Sequence, residues 1–334
     1  MKIFHSISEV PAATPSVATI GNFDGVHRGH RMVIDAVIAH ARELNARSIA
    51  VTFDPHPARV LKPEANIRLI TPLAQKLELL AATGLDATLV LPFTPEFASL
   101  SAREFATTLL RDGLHAVEVH EGESFRFGHD AAEDVTGLAQ LGHELGFAVR
   151  AYKPYMLRGA AVSSSRIRSL IAAGDMHHTR ALLGRSFAIR GTPASGRGYG
   201  TLYTVPTINL APYTDLLPAN GVYISTLRVG TRTFRAVTNA GNRPTFGADS
   251  FAIESHILDF EPLTLTAQTP LELIFLKRLR AELRFPSTEA LREQIDRDIN
   301  RANRYFALTQ LLRPSPMRGL PGTGGIPYRD RRNR

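Results

Sequence analysis

The chain has 334 residues, 44% apolar and 21% charged, enough for two ordinary domains, each with its own core. It contains no cysteine, which excludes disulfides, thiolate metal sites and thiol nucleophiles. The net charge of +8 is unevenly placed, since residues 313–334 hold six arginines and one aspartate. No aromatic-plus-basic recognition motif accompanies that tail, which argues against nucleic acid as a partner. The mildly basic body suits anionic small substrates. No stretch is long and apolar enough to span a bilayer, and the first ten residues lack the apolar run of a signal peptide, so the expected compartment is the cytoplasm.

In chain order, the first half alternates apolar strands with amphipathic helices. A strand is predicted at 16–20, then a helix running to about Leu44 with Met32, Val33, Ala36 and Val37 on one face and Ile38 nearby. Strands follow at 47–53, 87–92, 116–121 and 148–152, with helices at 73–81, 103–112 and 135–145. This rhythm predicts a parallel sheet covered by helices on both faces, with ligands beyond the carboxyl ends of the strands. After Gly184 the rhythm changes. Strands at 187–191, 221–228, 232–239, 253–260 and 271–279, most separated by Gly, Pro or Asn, predict a small antiparallel β-barrel. Ser287 is the predicted N-cap of a closing helix over 287–310. The Pro-, Gly- and Arg-rich end is expected to be disordered. The expected domains are 1–182 and 183–312, followed by a tail at 313–334.

The loop after the first strand has glycines at 21, 25 and 29, which let backbone approach a phosphate chain closely. The helix it opens supplies unpaired N–H groups and a positive dipole end. His27 and His30 leave the same first turn and can donate hydrogen bonds to charge that develops on a phosphate. Alone, a Gly-rich turn with two surface histidines would be the plainer reading; the strand–loop–helix setting favours nucleotide binding. Ser163, Ser164 and Ser165 with Arg168 lie at a predicted helix start near residue 167. They form either an ordinary N-cap run or an anion site with a guanidinium fork.

In the second half, Gly196, Gly198 and Gly200 suit a flap over phosphates. Pro206 precedes Thr207 and Asn209, which project to one face of an extended segment and offer hard oxygen ligands for Mg²⁺. On the strand at 253–260, Glu254 and His256 share a face opposite Ile253 and Ile257. A carboxylate there could take the proton of an attacking alcohol. Singly, these features also read as a plain loop and a solvent-facing strand.

Taken together, the motifs resemble the prokaryotic bifunctional riboflavin kinase/FAD synthetase family over about residues 16–307. The carrying segments are Gly21–His30 (GNFDGVHRGH), 52–57 (TFDPHP), 122–128 (GESFRFG) and 163–168 (SSSRIR) in the first half. In the second half they are 196–200 (GRGYG), 206–209 (PTIN), 218–223 (PANGVY), 239–246 (NAGNRPTF) and 253–259 (IESHILD). The resemblance implies a Rossmann-like nucleotidyltransferase domain and a β-barrel riboflavin kinase domain. It implies ATP held by Gly21, Asn22, Phe23, Asp24, Gly25, His27, Gly29, His30, Ser163, Ser164, Ser165 and Arg168. Flavin-side contacts would come from His56, Ser124, Phe125 and Phe127. In the barrel, ATP would meet Gly196, Gly198, Gly200, Pro206, Thr207 and Asn209, the last two on Mg²⁺, with Glu254 as general base. His27, His30 and Arg168 would serve the adenylyl transfer by positioning and charge stabilisation. The expected substrates are riboflavin, FMN and ATP, with FAD as final product. Ser124 stands where the family has Asp or Asn, Glu133 where a glycine is common, Ser165 for Thr, Thr204 for Gly and Thr201 for a basic residue. Ser124 and Glu133 motivate a kinase-only alternative. The basic tail motivates a flavin- or RNA-binding regulator as a third reading.

Overall fold

Short apolar segments build the first sheet: β1 (Lys2–Phe4), β2 (Ser16–Ile20), β3 (Arg47–Phe53), β4 (Ala87–Leu91), β5 (Ala116–Gly122) and β6 (Ala148–Tyr152). This is a computed structural model, and it describes residues 1–194, 207–242, 251–259 and 265–311. The strands are all parallel in the order β1-β4-β3-β2-β5-β6. From β2 the chain steps outward through β3 and β4, then returns to the other side of β2 with β5. That reversal opens a crevice beyond the carboxyl end of β2.

The covering helices are α1 (Arg28–Glu43), α2 (Leu73–Ala81), α3 (Ala102–Phe105, continuing as a wider π-helix over Ala106–Gly113) and α4 (Val135–Leu145). Alternation along the strands feeds both faces. Val17 and Ala50 meet Ile34, Val37, Ile38 and Ala41 of α1 and Leu80 of α2. Ala18, Ile20, Ile49 and Val51 pack with Phe105, Leu109, Leu110 and Leu138 on the other side. Double coverage is why β2, β3 and β4 read as unbroken apolar runs. The buried stripe of α1 is Val33, Ile34, Val37, Ile38 and Ala41. Met32 and Ala36, expected on it, are half-buried: the face is turned by about one position from the predicted one.

Two helices, α5 (Ser164–Ala172) and α6 (Met176–Leu183), lead to the second sheet. Its strands are β7 (Phe187–Gly191), β8 (Thr207–Asn209), β9 (Gly221–Val229), β10 (Arg232–Asn242), β11 (Phe251–Ile257) and β12 (Leu271–Arg280). They are antiparallel in the order β7-β12-β9-β10-β11-β8. The two edges meet where Pro193 bridges Leu210. There the Ala194 and Ala211 N–H groups donate to Asn209 and Thr192 carbonyls, both at 2.9 Å. Closure removes exposed strand edges. Tyr223, Leu227, Ile253, Leu273 and Phe275 fill the barrel and share one apolar cluster with Ile167, Ile171, Leu182 and Leu183 of α5 and α6. Three fully buried hydroxyls cross the core as a chain, Ser225–Thr238 at 2.7 Å and Thr238–Ser255 at 2.9 Å, ending on the Ala236 carbonyl at 3.3 Å. Each is therefore satisfied.

Contacts divide the chain into Met1–Glu282 and Leu283–Arg334. In the second unit, α7 (Thr288–Leu311) begins where Ser287 Oγ accepts the Ala290 N–H at 3.2 Å, the predicted cap. No described helix is long and apolar enough to cross a membrane. Gly196, Gly198, Gly200, Pro206, the substitutions at 201 and 204, residues 243–246 and the basic tail lie outside the described residues.

Candidate active sites

The first site begins where β2 and β5 part. Their pairing runs to Ala18–Val119. Beyond it the Glu121 carboxylate takes over, accepting the Ile20 N–H at 2.5 Å. Burial raises the Glu121 pKa well above the usual carboxylate range. The loop that follows is wound left-handed at Phe23 (φ 45°), Gly25 (φ 85°) and Val26 (φ 37°). For the two residues with a Cβ this stores about 1–3 kcal/mol each. Their side chains, buried in the core beside α1, hold them there. Phe23 thus serves the loop by anchoring it, while Gly21 is half-buried and Asn22 exposed at its start.

Asp24 organises the loop from inside. It is 2% exposed. Its carboxylate accepts the Ile70 and Thr71 N–H groups at 3.1 and 3.0 Å and pairs with Arg168 at 2.8 Å. Ser164 Oγ donates to the Asp24 carbonyl at 2.8 Å, and the Gly25 N–H donates to Thr71 Oγ1 at 2.9 Å. Ser163 caps α5 by accepting the Arg166 N–H at 3.3 Å, so this helix starts three residues before the predicted position. Ser165 is exposed on its first turn.

His27 caps α1. Its Nδ1 accepts the His30 N–H at 3.2 Å, which leaves the ring proton of the neutral imidazole on Nε2. The His27 and His30 rings stack with centroids 3.6 Å apart and planes 16° apart. A Cβ on Gly29 would stand 3.2 Å from the His27 ring, so glycine is what lets the pair close. Burial lowers the His27 pKa from 6.5 to about 4, against the opposing pull of Asp24. Burial, followed by the field of His27, drives His30 well below the usual value. Both rings are therefore neutral donors at neutral pH. His30 Nδ1 and Arg168 Nε are buried without a hydrogen-bond partner, two polar atoms left for a ligand.

Two further cations escaped the sequence reading. Lys76 Nζ, on α2, donates to Thr52 Oγ1 at 2.9 Å and the Asn22 carbonyl at 3.2 Å, and burial lowers its pKa from 10.5 to about 8. Arg185 donates to the Gly25 and Val26 carbonyls at 2.7 and 3.2 Å, and burial lowers its pKa to about 10. A lysine on the packed side of an apolar helix, four residues before the fully buried Leu80, was a readable signal. Arg185 gave none.

On the proposed flavin side, His56 caps the short helix Pro57–Leu61 through its Nδ1. Burial lowers its pKa to about 4, and it feels the charges of Asp24, Arg168 and Lys76, which puts it beside the Asp24 loop. Phe125 and Phe127 stack at 5.6 Å. Through Phe105 and Phe97 they continue to Phe53 and Phe93 in a run of ring contacts of 5.5–6.0 Å. This aromatic wall stands at the carboxyl ends of β3, β4 and β5. Ser124 and Glu133 are exposed, and Glu133 pairs with Phe127 across a short hairpin.

In the barrel, β8 pairs with β11 so that Asn209 lies opposite Glu254 and Thr207 opposite His256. β10 places Asn239 on the other side of Glu254. Ile208, Ile253, Ser255 and Ile257 are buried, so Thr207, Asn209, Glu254 and His256 occupy the opposite face. A hydroxyl, an amide and a carboxylate thus lie on one face of two paired strands; the two-residue period gave each segment's face, and strand pairing brings the segments side by side.

The sequence profile of FAD synthetases matches residues 10–166, and that of riboflavin kinases residues 183–306. The chain is 37% identical to a bifunctional riboflavin kinase/FMN adenylyltransferase of Pseudomonas fluorescens, over 87% of this chain and 93% of that protein. It is 33% identical to the protein so named from Escherichia coli K12, over 92% of this chain and 97% of the other. A crystal structure described as a macrolide-efflux protein from Streptococcus pneumoniae shares the fold, with a TM-score of 0.82 and 26% identity over 90% of this chain and 98% of that one. With both profiles matched in order and these relatives spanned almost end to end, the chain belongs to the bifunctional riboflavin kinase/FMN adenylyltransferase family.

Proposed function

We propose that the chain phosphorylates riboflavin to FMN in the barrel and then adenylylates FMN to FAD at the carboxyl end of the parallel sheet, each step using its own ATP. The observation that carries this reading is the chemical difference between the two sites. The barrel sets a carboxylate, Glu254, directly across from Asn209. The loop sets stacked neutral imidazoles among buried cations, with its one carboxylate, Asp24, already occupied. An alcohol nucleophile needs its proton removed, whereas a phosphate is already anionic.

In the barrel, Glu254 accepts the proton of the terminal ribityl hydroxyl as that oxygen attacks the γ-phosphorus and ADP leaves. Thr207 and Asn209 offer hydroxyl and amide oxygens beside a carboxylate, a donor set that fits Mg²⁺. Bound there, Mg²⁺ would offset charge on the transferring phosphate. At the loop, an FMN phosphate oxygen attacks the α-phosphorus of a second ATP and pyrophosphate leaves. His27, His30 and Arg168 donate hydrogen bonds to the phosphate oxygens, while Ser164 and Asp24 hold the loop in place. The flavin ring lies against the Phe125–Phe127 wall. The adenylylating half spans 1–182 and the phosphorylating half 183–312, and both reactions belong in the cytoplasm.

Half-reaction assays on two variants test this. Glu254→Gln is expected to cut FMN formation at least about 100-fold while FAD still forms from supplied FMN. Arg168→Ala is expected to do the reverse. Two variants that lose both activities together, or neither, would overturn the two-site reading.

A further inference from the structure

Away from both sites, one face of β5 carries charge where a doubly covered strand should be apolar. Ala116 and Val119 enter the core under α3 and α4. Glu118 and His120, two residues apart, share the other face and are 4% and 0% exposed. His40 descends on them from the last turn of α1. His40 Nδ1 and His120 Nε2 stand 3.0 and 3.1 Å from the same oxygen, Glu118 Oε2. β6 completes the cluster: the Tyr152 hydroxyl lies 2.9 Å from His120 Nδ1, and Arg150 pairs with the other Glu118 oxygen. Among the described residues this is the group of three His or carboxylate side chains whose ligand atoms converge, all within 4.8 Å of one another.

We propose that His40, Glu118 and His120 form a binding site for a zinc-class divalent cation. Two imidazoles and one carboxylate are the donors such an ion selects. Tetrahedral bonds of zinc length set neighbouring ligand atoms about 3.3 Å apart, so the two distances to Glu118 Oε2 have to open by only a few tenths of an ångström, and the two imidazole nitrogens already lie within 4.8 Å of each other. The surroundings are those of a metal site rather than of an isolated ion pair. Tyr152 engages His120 Nδ1 and so turns Nε2 inward, while Arg150 occupies Oε1 and leaves Oε2 to the ion. The His40 side chain is 26% exposed, which gives a path of entry and leaves a fourth position for water. His40 lies ten residues along α1 from His30, about 15 Å at the helical rise, so the cluster is separate from the phosphate loop. An ion there ties the carboxyl end of α1 to the β5 side of the sheet.

The test uses the full chain, stripped with chelator and titrated with Zn²⁺ by calorimetry and with Co²⁺ by visible absorption. One equivalent should bind with micromolar or tighter affinity, give Co²⁺ bands of four- or five-coordinate intensity and raise the thermal midpoint. His40→Ala, chosen because that residue is partly exposed, should weaken binding by tenfold or more, and Tyr152→Phe by about tenfold. The double variant His27→Asn, His30→Asn should leave the equivalent in place. Absence of a saturable equivalent in the unmodified chain overturns the proposal. So does an equivalent that survives His40→Ala, or one that disappears with the His27 and His30 changes.

Discussion

Asp24 shows how much one side chain holds in the loop after β2. Its carboxylate satisfies two backbone N–H groups and one guanidinium in a site closed to water. Asp24→Ala orphans all three, and a loss of about 3–5 kcal/mol in a denaturant melt is expected. The histidines set a pH dependence. His27 and His56 have folded pKa values of about 4, lowered by burial from 6.5. As pH falls through that interval the unfolded chain takes up protons that the folded chain refuses. Stability is therefore full above about 6.5 and is lost towards 4, by up to about 3 kcal/mol per group; melts at successive pH values check it. His27, His30 and Arg168 were legible because their motifs are local. Arg185 was not, because its partners Gly25 and Val26 are brought to it only by tertiary folding. Lys76 is the missed residue of most consequence: Lys76→Met should slow FAD formation at least about tenfold while leaving the riboflavin phosphorylation rate alone, as the separate half-reactions would report.

Among the elements, α1 sets propensity against function. Gly29 sits in its first turn, where alanine would favour the helix by up to about 1 kcal/mol. The added Cβ would press on the His27 ring at 3.2 Å. Gly29→Ala should therefore keep or raise the melting temperature while cutting adenylylation, a split that melts and half-reaction rates together would reveal. The strands of the parallel sheet were readable from their apolar runs. β1 was not, since only Phe4 of its three residues is buried. The π-helical continuation of α3 leaves no pattern distinct from an ordinary amphipathic helix. In the barrel, the shared face of Thr207, Asn209, Glu254 and His256 followed from the two-residue period. Their juxtaposition depends on strand pairing between distant segments, and there only the family motifs gave warning.

Across the molecule, the segment that carries Asp24's donors is gripped from the barrel side. Asp215 pairs with Arg59 at 2.5 Å and accepts the Leu69 N–H at 3.2 Å. The Leu216 N–H donates to the Leu69 carbonyl at 3.1 Å. Arg190 joins Glu78 at 2.6 Å to Glu272 at 2.8 Å. α5 and α6, which precede the proposed boundary near 182, share one core with the barrel strands. Asp215→Ala, though remote in sequence from the phosphate loop, should weaken ATP use in adenylylation severalfold through Leu69–Thr71. Unchanged KM and kcat for FAD formation would count against that route.

One chain, on this reading, runs two phosphorus transfers in two different sites. A time course of riboflavin, ATP and Mg²⁺ with the purified chain, resolving flavins, ADP and pyrophosphate, tests this. FMN should appear first and FAD after it, with one ADP and one pyrophosphate released per FAD. FMN that never becomes FAD, even when supplied directly, would contradict it, as would FAD formed from riboflavin at an undiminished rate by Glu254→Gln.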